Sequence, residues 1–406
     1  MTEPLAGGIQ HFAMPAKRTF IVIMAMLMAI NAISIDIMLP GLQQMGASLG
    51  VEDENSRQWV ITAYLVGMGS AQLVFGPLSD RFGRKGPLLC GLLIYIVSSL
   101  AITAVPVFSG LLALRFIQGI GAAATRVVTV SIIRDTNHGR QMAQVMSLVM
   151  MIFMIVPVVA PSIGQVILLI SEWHMIFLFI GVYAMLVGTV VIFKLPETLP
   201  VSARRPLSAA SVIQAFKTVL SNRLAFCYGI AGAFVFGALF GFINSSQQIL
   251  VGLYQLGDRF PLVFASFAIA MALSSFANSL LVRRWGMQYL AHGALIGFML
   301  VGLAWTLVAV FGHVTFGLFV LFYGSAMLLF GLITANFNAM AMEPLGSIAG
   351  TASSVLGFMQ TVGGSLLGAL IGQAFDGSVV PLATSFLLIS MAAVIFTLCA
   401  RKGHLF

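Results

Sequence analysis

Two stretches of this chain, Trp59 to Leu78 and Gly86 to Val107, hold no charged residue, yet four charges stand in the few residues between them. An apolar run of about 20 residues is the length of helix that crosses the hydrocarbon of a bilayer. A water-soluble fold has nowhere to bury two such runs in succession. The linking segment, Gly76-Pro77-Leu78-Ser79-Asp80-Arg81-Phe82-Gly83-Arg84-Lys85, therefore reads as a tight loop at a membrane surface. Its glycines permit a sharp turn, and its acid and bases suit the helix ends that it joins.

The pattern repeats along the chain. Hydrophobic residues make up 60% of the 406 and charged residues 8%, against about 25% charged in soluble domains. Twelve spans are expected, near 19–41, 59–79, 87–106, 109–133, 143–168, 174–194, 224–248, 260–282, 289–312, 315–337, 349–374 and 380–400. Uninterrupted apolar runs are not the alternating strands of a membrane barrel, so the expected fold is an all-α polytopic membrane protein. The first span is too long for a signal-peptide core and reads as a retained helix. The spacing of Cys90, Cys227 and Cys399 fits neither a disulfide framework nor a metal site.

Direction follows from lysine and arginine. With a cytoplasmic N-terminus, that side receives 16 of the 20 basic residues and the far side only Arg57 and Arg259, while Arg115 and Arg126 stay inside the membrane. By the positive-inside rule both termini are cytoplasmic. The net charge of +8 is thus spread over many loops as orientation signal, which argues against a nucleic-acid partner. The longest polar connection, Leu195 to Asn222, divides the chain into an N-terminal bundle (1–194), a cytoplasmic linker (195–223) and a C-terminal bundle (224–406). A faint internal repeat supports the division. Leu78-Ser79-Asp80-Arg81-Phe82-Gly83 is echoed by Leu281-Val282-Arg283-Arg284-Trp285-Gly286, and Ile163-Gly164-Gln165 returns as Ile371-Gly372-Gln373, at offsets of 203 and 208 residues. Parallel six-helix repeats around a central site are a transporter architecture.

These residues also carry a resemblance. The segment Gly76 to Lys85 resembles the signature loop between helices 2 and 3 of the major facilitator superfamily. Leu114-Arg115-Phe116-Ile117-Gln118-Gly119-Ile120-Gly121 is similar to its helix-4 motif, and Ala160-Pro161-Ser162-Ile163-Gly164 to the helix-5 motif of drug:proton antiporters. Ile35-Asp36-Ile37-Met38-Leu39-Pro40, Leu195-Pro196-Glu197-Thr198 and Ala349-Gly350-Thr351-Ala352-Ser353 narrow it to the Bcr/CflA-type subfamily, which includes bicyclomycin and chloramphenicol exporters. The chain departs from the helix-5 pattern at Gln165, where a second glycine is usual. The resemblance implies two six-helix bundles, a proton-coupled antiporter that works as a monomer, and a part for Arg115 in that coupling.

Independently of the resemblance, three charges stand where lipid makes charge costly, by about 2.5–3.5 kcal/mol each on insertion scales. Asp36, in the outer half of span 1, is the only acid within the expected helical cores. A carboxylate exchanges a proton according to the balance between lost hydration and neighbouring charge, so Asp36 is a candidate proton carrier; a permanent ion pair between spans 1 and 4 is the alternative. Arg115 keeps its charge at any relevant pH and can pin a buried carboxylate, polar side chains and water; its part in coupling is what the resemblance implies, and helix packing is the alternative. Arg126, three turns further along nearly the same face, either lines the cavity and disfavours cationic cargo or snorkels inward. Gly76, Asp80, Arg81, Gly83 and Arg84 are expected to form a conformational latch that favours the outward-facing state, or else serve topology and loop packing alone. Pro157 and Pro161 interrupt span 5 and can kink it, with Gly164 completing the helix-5 motif. Small residues in span 7 (Gly232, Gly237, Gly241) and span 11 (Gly363, Gly364, Gly368, Gly372) permit close helix crossing.

Neutral polar residues Asn31, Tyr64, Asn244, Gln247, Asn336, Asn338 and Gln360 are candidate cavity residues, and Asn244-Ser245-Ser246-Gln247-Gln248 can line the outer mouth. Interhelical hydrogen bonding is the alternative for each. Twenty-three methionines supply adaptable apolar wall. The expected cargo is a small amphipathic molecule, neutral or cationic. No enzyme signature, metal-ligand spacing or phosphate-binding loop is present, so no cofactor is expected and the energy source is the proton gradient. The expected function is proton-coupled drug efflux in the bacterial inner membrane. A proton symporter or facilitator importing a nutrient is the first rival, and a non-transporting scaffold or sensor the second.

Overall fold

The structure, a computed structural model, describes residues 15–137, 139–204 and 209–403. Among the described residues there is no strand, and twelve helical spans are long and apolar enough to cross a membrane. They are span 1 (Lys17–Ser48), span 2 (Ser56–Phe82), span 3 (Lys85–Ile102), span 4 (Phe108–Thr136), span 5 (Gln144–Ile170), span 6 (His174–Lys194), span 7 (Arg223–Leu253), span 8 (Gly257–Trp285), span 9 (Met287–Phe311), span 10 (Phe316–Leu345), span 11 (Thr351–Gln373) and span 12 (Val380–Ala400). Large apolar side chains such as Leu93, Leu169, Phe193, Phe276, Phe311 and Leu370 are exposed, as a lipid-facing surface requires.

Each half packs by one pattern. Spans 1–6 pair as 1–4, 1–5, 1–6, 2–4, 3–4 and 3–6, and spans 7–12 repeat the same pairings six positions on. The halves meet along two flanks, span 2 against span 11 and span 5 against span 8. Loops therefore gather at two ends. The end holding Gly83, Asn137, residues 195–204 and 209–222 and Arg401 is here called the basic face. The end holding 49–58, 171–173, 254–259 and 374–379 is the opposite face.

The elements depart from the expected spans in informative ways. Span 1 runs past 41: its first helix ends at Asp36, a tight turn spans Leu39–Gly41 around Pro40, and a short helix Leu42–Ser48 follows. Proline cannot continue the hydrogen-bond ladder, which places the bend just beyond Asp36. Span 5 is not interrupted, because one helix, Gly139–Ile170, contains both Pro157 and Pro161; in a bundle, neighbouring helices offset the lost backbone bonds. Spans 7 and 11 each contain a π-helical turn, Gln248–Leu253 and Met359–Gly363. Such turns re-aim the side chains around them and concentrate at functional sites. The connection between the halves is not wholly irregular: Ala209–Ser221 is a helix, with Val219 buried and the Phe216 ring edge-on to Phe358 of span 11 at 6.4 Å. Phe216 and Val219, three apart, share a helix face.

Candidate functional site: a cavity between the halves

A cavity of about 350 Å³ lies between the halves toward the basic face. Spans 2, 4 and 11 form most of its wall, with Gln72 and Asp80 from span 2, Arg126 and Arg134 from span 4, and Thr351, Ser354, Gly357 and Gln360 from span 11. Met28, Met146, Met150 and Met342 complete it, along with Asn338 of span 10. A small, partly apolar cleft with a few polar groups is a normal small-molecule site.

At the opposite face the halves are joined by amides. Asn55 donates to the carbonyls of Gln373 and Phe375 at 3.1 and 3.0 Å, and its own carbonyl accepts from Gln373 Nε2 at 2.6 Å. Gln248 Nε2 donates to Asn55 Oδ1 at 2.7 Å. Gln58 donates to Gln248 Oε1 and, at 3.2 Å, to the Gly372 carbonyl. Gly372 is required there: a Cβ on it would lie 1.7 Å from Gln58 Oε1. On the other flank Gln165 donates to Asp258 Oδ1 at 3.1 Å. The conformation is therefore closed at the opposite face, with its central cavity on the basic side.

Arg115 is fully buried and well supplied with acceptors. It donates to the Val60 carbonyl at 3.1 Å, the Ser34 carbonyl at 3.1 Å and Gln118 Oε1 at 2.5 Å. Its guanidinium lies over the Tyr64 ring, 4.4 Å from the centroid, a cation–π contact strengthened by exclusion of water. Gln118 passes the network to Ser99 at 2.6 Å, and Ser34 shares a 2.5 Å hydrogen bond with Tyr95. Arg115 thus binds spans 1, 2 and 3 to span 4. Asp36, 5% exposed, forms no ion pair with Arg115 or any other described residue. The permanent ion pair considered as the alternative for these two residues is not present. Beside Asp36, the helix-5 glycine explains itself: a Cβ on Gly164 would lie 1.9 Å from the Ile37 carbonyl oxygen, so only glycine lets span 5 pack on the backbone next to the carboxylate.

The loop after span 2 forms a charged knot within the N-terminal half. Arg84 pairs with Asp80 at 2.5 Å and with Asp135 of span 4 at 2.6 Å. Its backbone N–H and that of Lys85 donate to Glu197 at 2.8 and 3.2 Å, which places a carboxylate at the start of span 3, where a helix favours negative charge. Burial costs the Arg84 guanidinium hydration, but Asp135 and Asp80 outweigh that cost and hold its pKa above the ordinary arginine range. Gly83 turns the chain at φ +92, Gly76 approaches Ser354 of span 11, and Arg81 is exposed.

Of the candidate cavity residues, Arg126, Asn338 and Gln360 are in the wall. The other five are not, and Gln247 instead donates to Gln43 of span 1 at 3.4 Å. Asn31 donates to Thr125 at 2.9 Å, tying span 1 to span 4. Tyr64 is buried under Arg115. Asn336 donates to Asn278 at 2.6 Å, joining spans 8 and 10, while Asn338, two residues on, faces the cavity. Asn244 is buried near Gly372 with no hydrogen-bond partner for its amide among the described residues. The sequence reading missed Asn55, Gln58 and Asp135. Uncharged amides and a helix-end acid stand out only when their partners are seen; the repeated glutamine of Ile-Gly-Gln was the one available signal.

The fold and the cavity define a secondary transporter of the rocking two-bundle type. The chain belongs to the major facilitator superfamily, whose family model matches residues 21–368. It is 31% identical to a bicyclomycin resistance protein homolog of Haemophilus influenzae, over 88% of this chain and 90% of that one. It is 31% identical to the multidrug resistance protein MdtL of Klebsiella pneumoniae (83% and 85% covered) and 30% identical to a chloramphenicol resistance protein of Pseudomonas aeruginosa (84% and 79%). The resemblance to bicyclomycin and chloramphenicol exporters holds at the level of whole sequences. Among solved structures, the xylose transporter XylE from E. coli superposes with a TM-score of 0.73 at 12% identity, covering 95% of this chain and 97% of that one. The human organic anion transporter MFSD10 gives 0.65 at 18% (95% and 100%). At those identities the likeness is one of fold.

Proposed function

We propose that the chain is a proton-driven exporter of small amphipathic drugs, acting as a monomer in the bacterial inner membrane with both termini in the cytoplasm. The observation that carries this reading is the asymmetry of the closed and open ends. The cavity lies on the basic side, which the positive-inside rule assigns to the cytoplasm, and the opposite face is held by hydrogen bonds that rocking of the halves can break. Names of the relatives, which speak of bicyclomycin, chloramphenicol and multidrug resistance, support the cargo class.

Asp36 is the proton carrier in this reading. It is buried, lacks an ion pair and stands at the bend of span 1, against the backbone contact between Ile37 and Gly164. Its environment changes whenever span 5 moves on span 1. An outside proton reaches it in the outward-open state, cargo leaves, and the proton is released inside. Arg115 positions the helices around it. The Arg84 knot keeps the basic end of the N-terminal half rigid as the halves rock. One inward proton contributes about 2.3 kcal/mol per 100 mV, sufficient in scale for uphill export of a neutral molecule, with no resident cofactor.

The test is proton release from everted vesicles held acidic inside, challenged with chloramphenicol, bicyclomycin and related amphipathic compounds. A compound that dissipates the gradient with the native protein, and not with Asp36→Asn, supports the reading. Uptake of a nutrient with inward protons in right-side-out vesicles, with no response to the drugs, replaces it with import.

A further inference from the structure

Arg126 differs from the buried arginines Arg115 and Arg84. Arg115 has three acceptors and Arg84 has two carboxylates. Arg126 has no hydrogen-bond or ion-pair partner among the described residues, and it forms part of the cavity wall. It sits beside Thr125, which is fixed by Asn31, so its helix position is rigid while its five N–H donors are uncommitted.

The charge balance of the wall is one-sided. Arg126 and Arg134 are cationic, and the single acid, Asp80, is engaged by Arg84. The remaining polar groups of the wall, among them Gln72, Asn338 and Gln360, are neutral. A guanidinium is a planar fork that matches a carboxylate, and charge–charge interactions are stronger away from bulk water. A cation entering this site meets two like charges and no free acid. An amphipathic anion finds guanidinium donors and, in the same wall, methionines such as Met28, Met146 and Met342, whose flexible thioethers adapt to varied shapes.

We propose that Arg126 sets the charge preference of the cavity, which takes small amphipathic molecules bearing one carboxylate in preference to permanent cations. This rests on the reading of the chain as an exporter and narrows its cargo. It also turns the expected charge of the cargo from neutral or cationic toward neutral or anionic.

The test uses three probes sharing one apolar body: naphthylbutyrate, naphthylbutanol and naphthylbutyl-trimethylammonium. Binding is measured on the purified full-length chain in nanodiscs by calorimetry. Native protein is expected to bind the anion about tenfold or more tighter than the cation, the worth of one charge-assisted contact, with the alcohol between them. Arg126→Gln is expected to remove most of that preference while the alcohol still binds, which also shows that the variant is folded. Arg126→Glu is expected to reverse it. Equal binding of anion and cation by native protein, an unchanged ratio in Arg126→Gln, or no binding of the anion overturns the proposal. Proton-driven uptake of the same probes in everted vesicles separates the two levels. Charge preference on Arg126 with no gradient-driven movement keeps the site and sinks the exporter reading; movement with no charge preference does the reverse.

Discussion

Gln165 and Gln373 occupy corresponding places in the two halves, and each reaches across to the other half. Gln165, at the far end of span 5, donates to Asp258 at the start of span 8; Gln373, at the far end of span 11, donates to Asn55 at the start of span 2. Asn55 and Asp258 are themselves 203 residues apart, an offset shared with the loop motifs at the ends of spans 2 and 8. The internal repeat thus recurs as a pair of symmetry-related clasps on the closed face. The departure of Gln165 from the usual helix-5 glycine supplies one of the two. The clasps are unequal: the Gln373 side adds Gln58, Gln248 and three further hydrogen bonds to Asn55, whereas the Gln165 contact is exposed.

Asn55→Ala should therefore open the face more than Gln165→Ala. Asn55 makes three side-chain hydrogen bonds across the halves, and at about 0.5–1.5 kcal/mol net for each the closed state loses about 1.5–4.5 kcal/mol. Removing the exposed Gln165–Asp258 contact should cost under about 1 kcal/mol. Spin labels at Glu52 and Asp376, both exposed on this face, report the outcome by pulsed electron resonance. A longer distance population should grow strongly in Asn55→Ala and little in Gln165→Ala.

Gly164→Ala and Gly372→Ala should separate backbone from side-chain crowding. Both positions lack room for a Cβ, but the obstacle at Gly164 is the Ile37 carbonyl, whereas at Gly372 the nearest atom is the Gln58 amide oxygen. A side chain can rotate and a packed backbone cannot. Gly164→Ala should lose about 1–3 kcal/mol of stability through overpacking and lose proton-coupled transport, because it displaces the chain beside Asp36. Gly372→Ala should keep more of its thermal stability and shift the closed face toward opening. Melting in detergent together with vesicle transport checks both.

Much of this architecture was legible without coordinates, for a physical reason. Lipid forces each span to be apolar throughout, so spans and loops appear directly in composition, and lone charges such as Asp36, Arg115 and Arg126 stand out. What those charges touch was not legible. Arg115 has carbonyl acceptors on Val60 and Ser34, and every residue has a carbonyl, so no side-chain pattern reveals them. Asn336 and Asn338 are two residues apart on one helix, which turns them about 160° from each other; one bonds Asn278 and the other faces the cavity. The rotation of span 10 decides which, and uniformly apolar helices give no periodic signal from which to read rotation.

The Arg84 knot predicts an asymmetry between its two acids. The Asp135 side chain is 16% exposed and that of Asp80 37%, so solvent screens the second contact more. Removing one partner of a buried pair leaves an uncompensated charge and costs about 3–5 kcal/mol in the fully buried limit. Asp135→Asn should approach the lower end of that range, with Asp80→Asn well below it. Equilibrium melting in nanodiscs checks the order. A larger loss in Asp80→Asn would show that this acid does more than pair with Arg84.

Arg115→Lys should fail although it keeps the charge. The guanidinium reaches Val60, Ser34 and Gln118 in one plane and stacks on Tyr64; an ammonium is a compact point charge that cannot span that arrangement. At least one carbonyl loses its buried donor, at about 1–3 kcal/mol. Ser34 lies two residues before Asp36 on the same helix, so a loosened Arg115 also loosens the carboxylate. The expected result is a lower melting temperature and weakened proton coupling, with binding of a neutral compound in the cavity nearly unchanged, since Arg115 is not in its wall. If Arg115 instead acted on the cargo, binding would fall together with coupling. Calorimetric affinity measured beside vesicle proton flux, on the same variant, distinguishes a residue that positions Asp36 from one that touches what is carried.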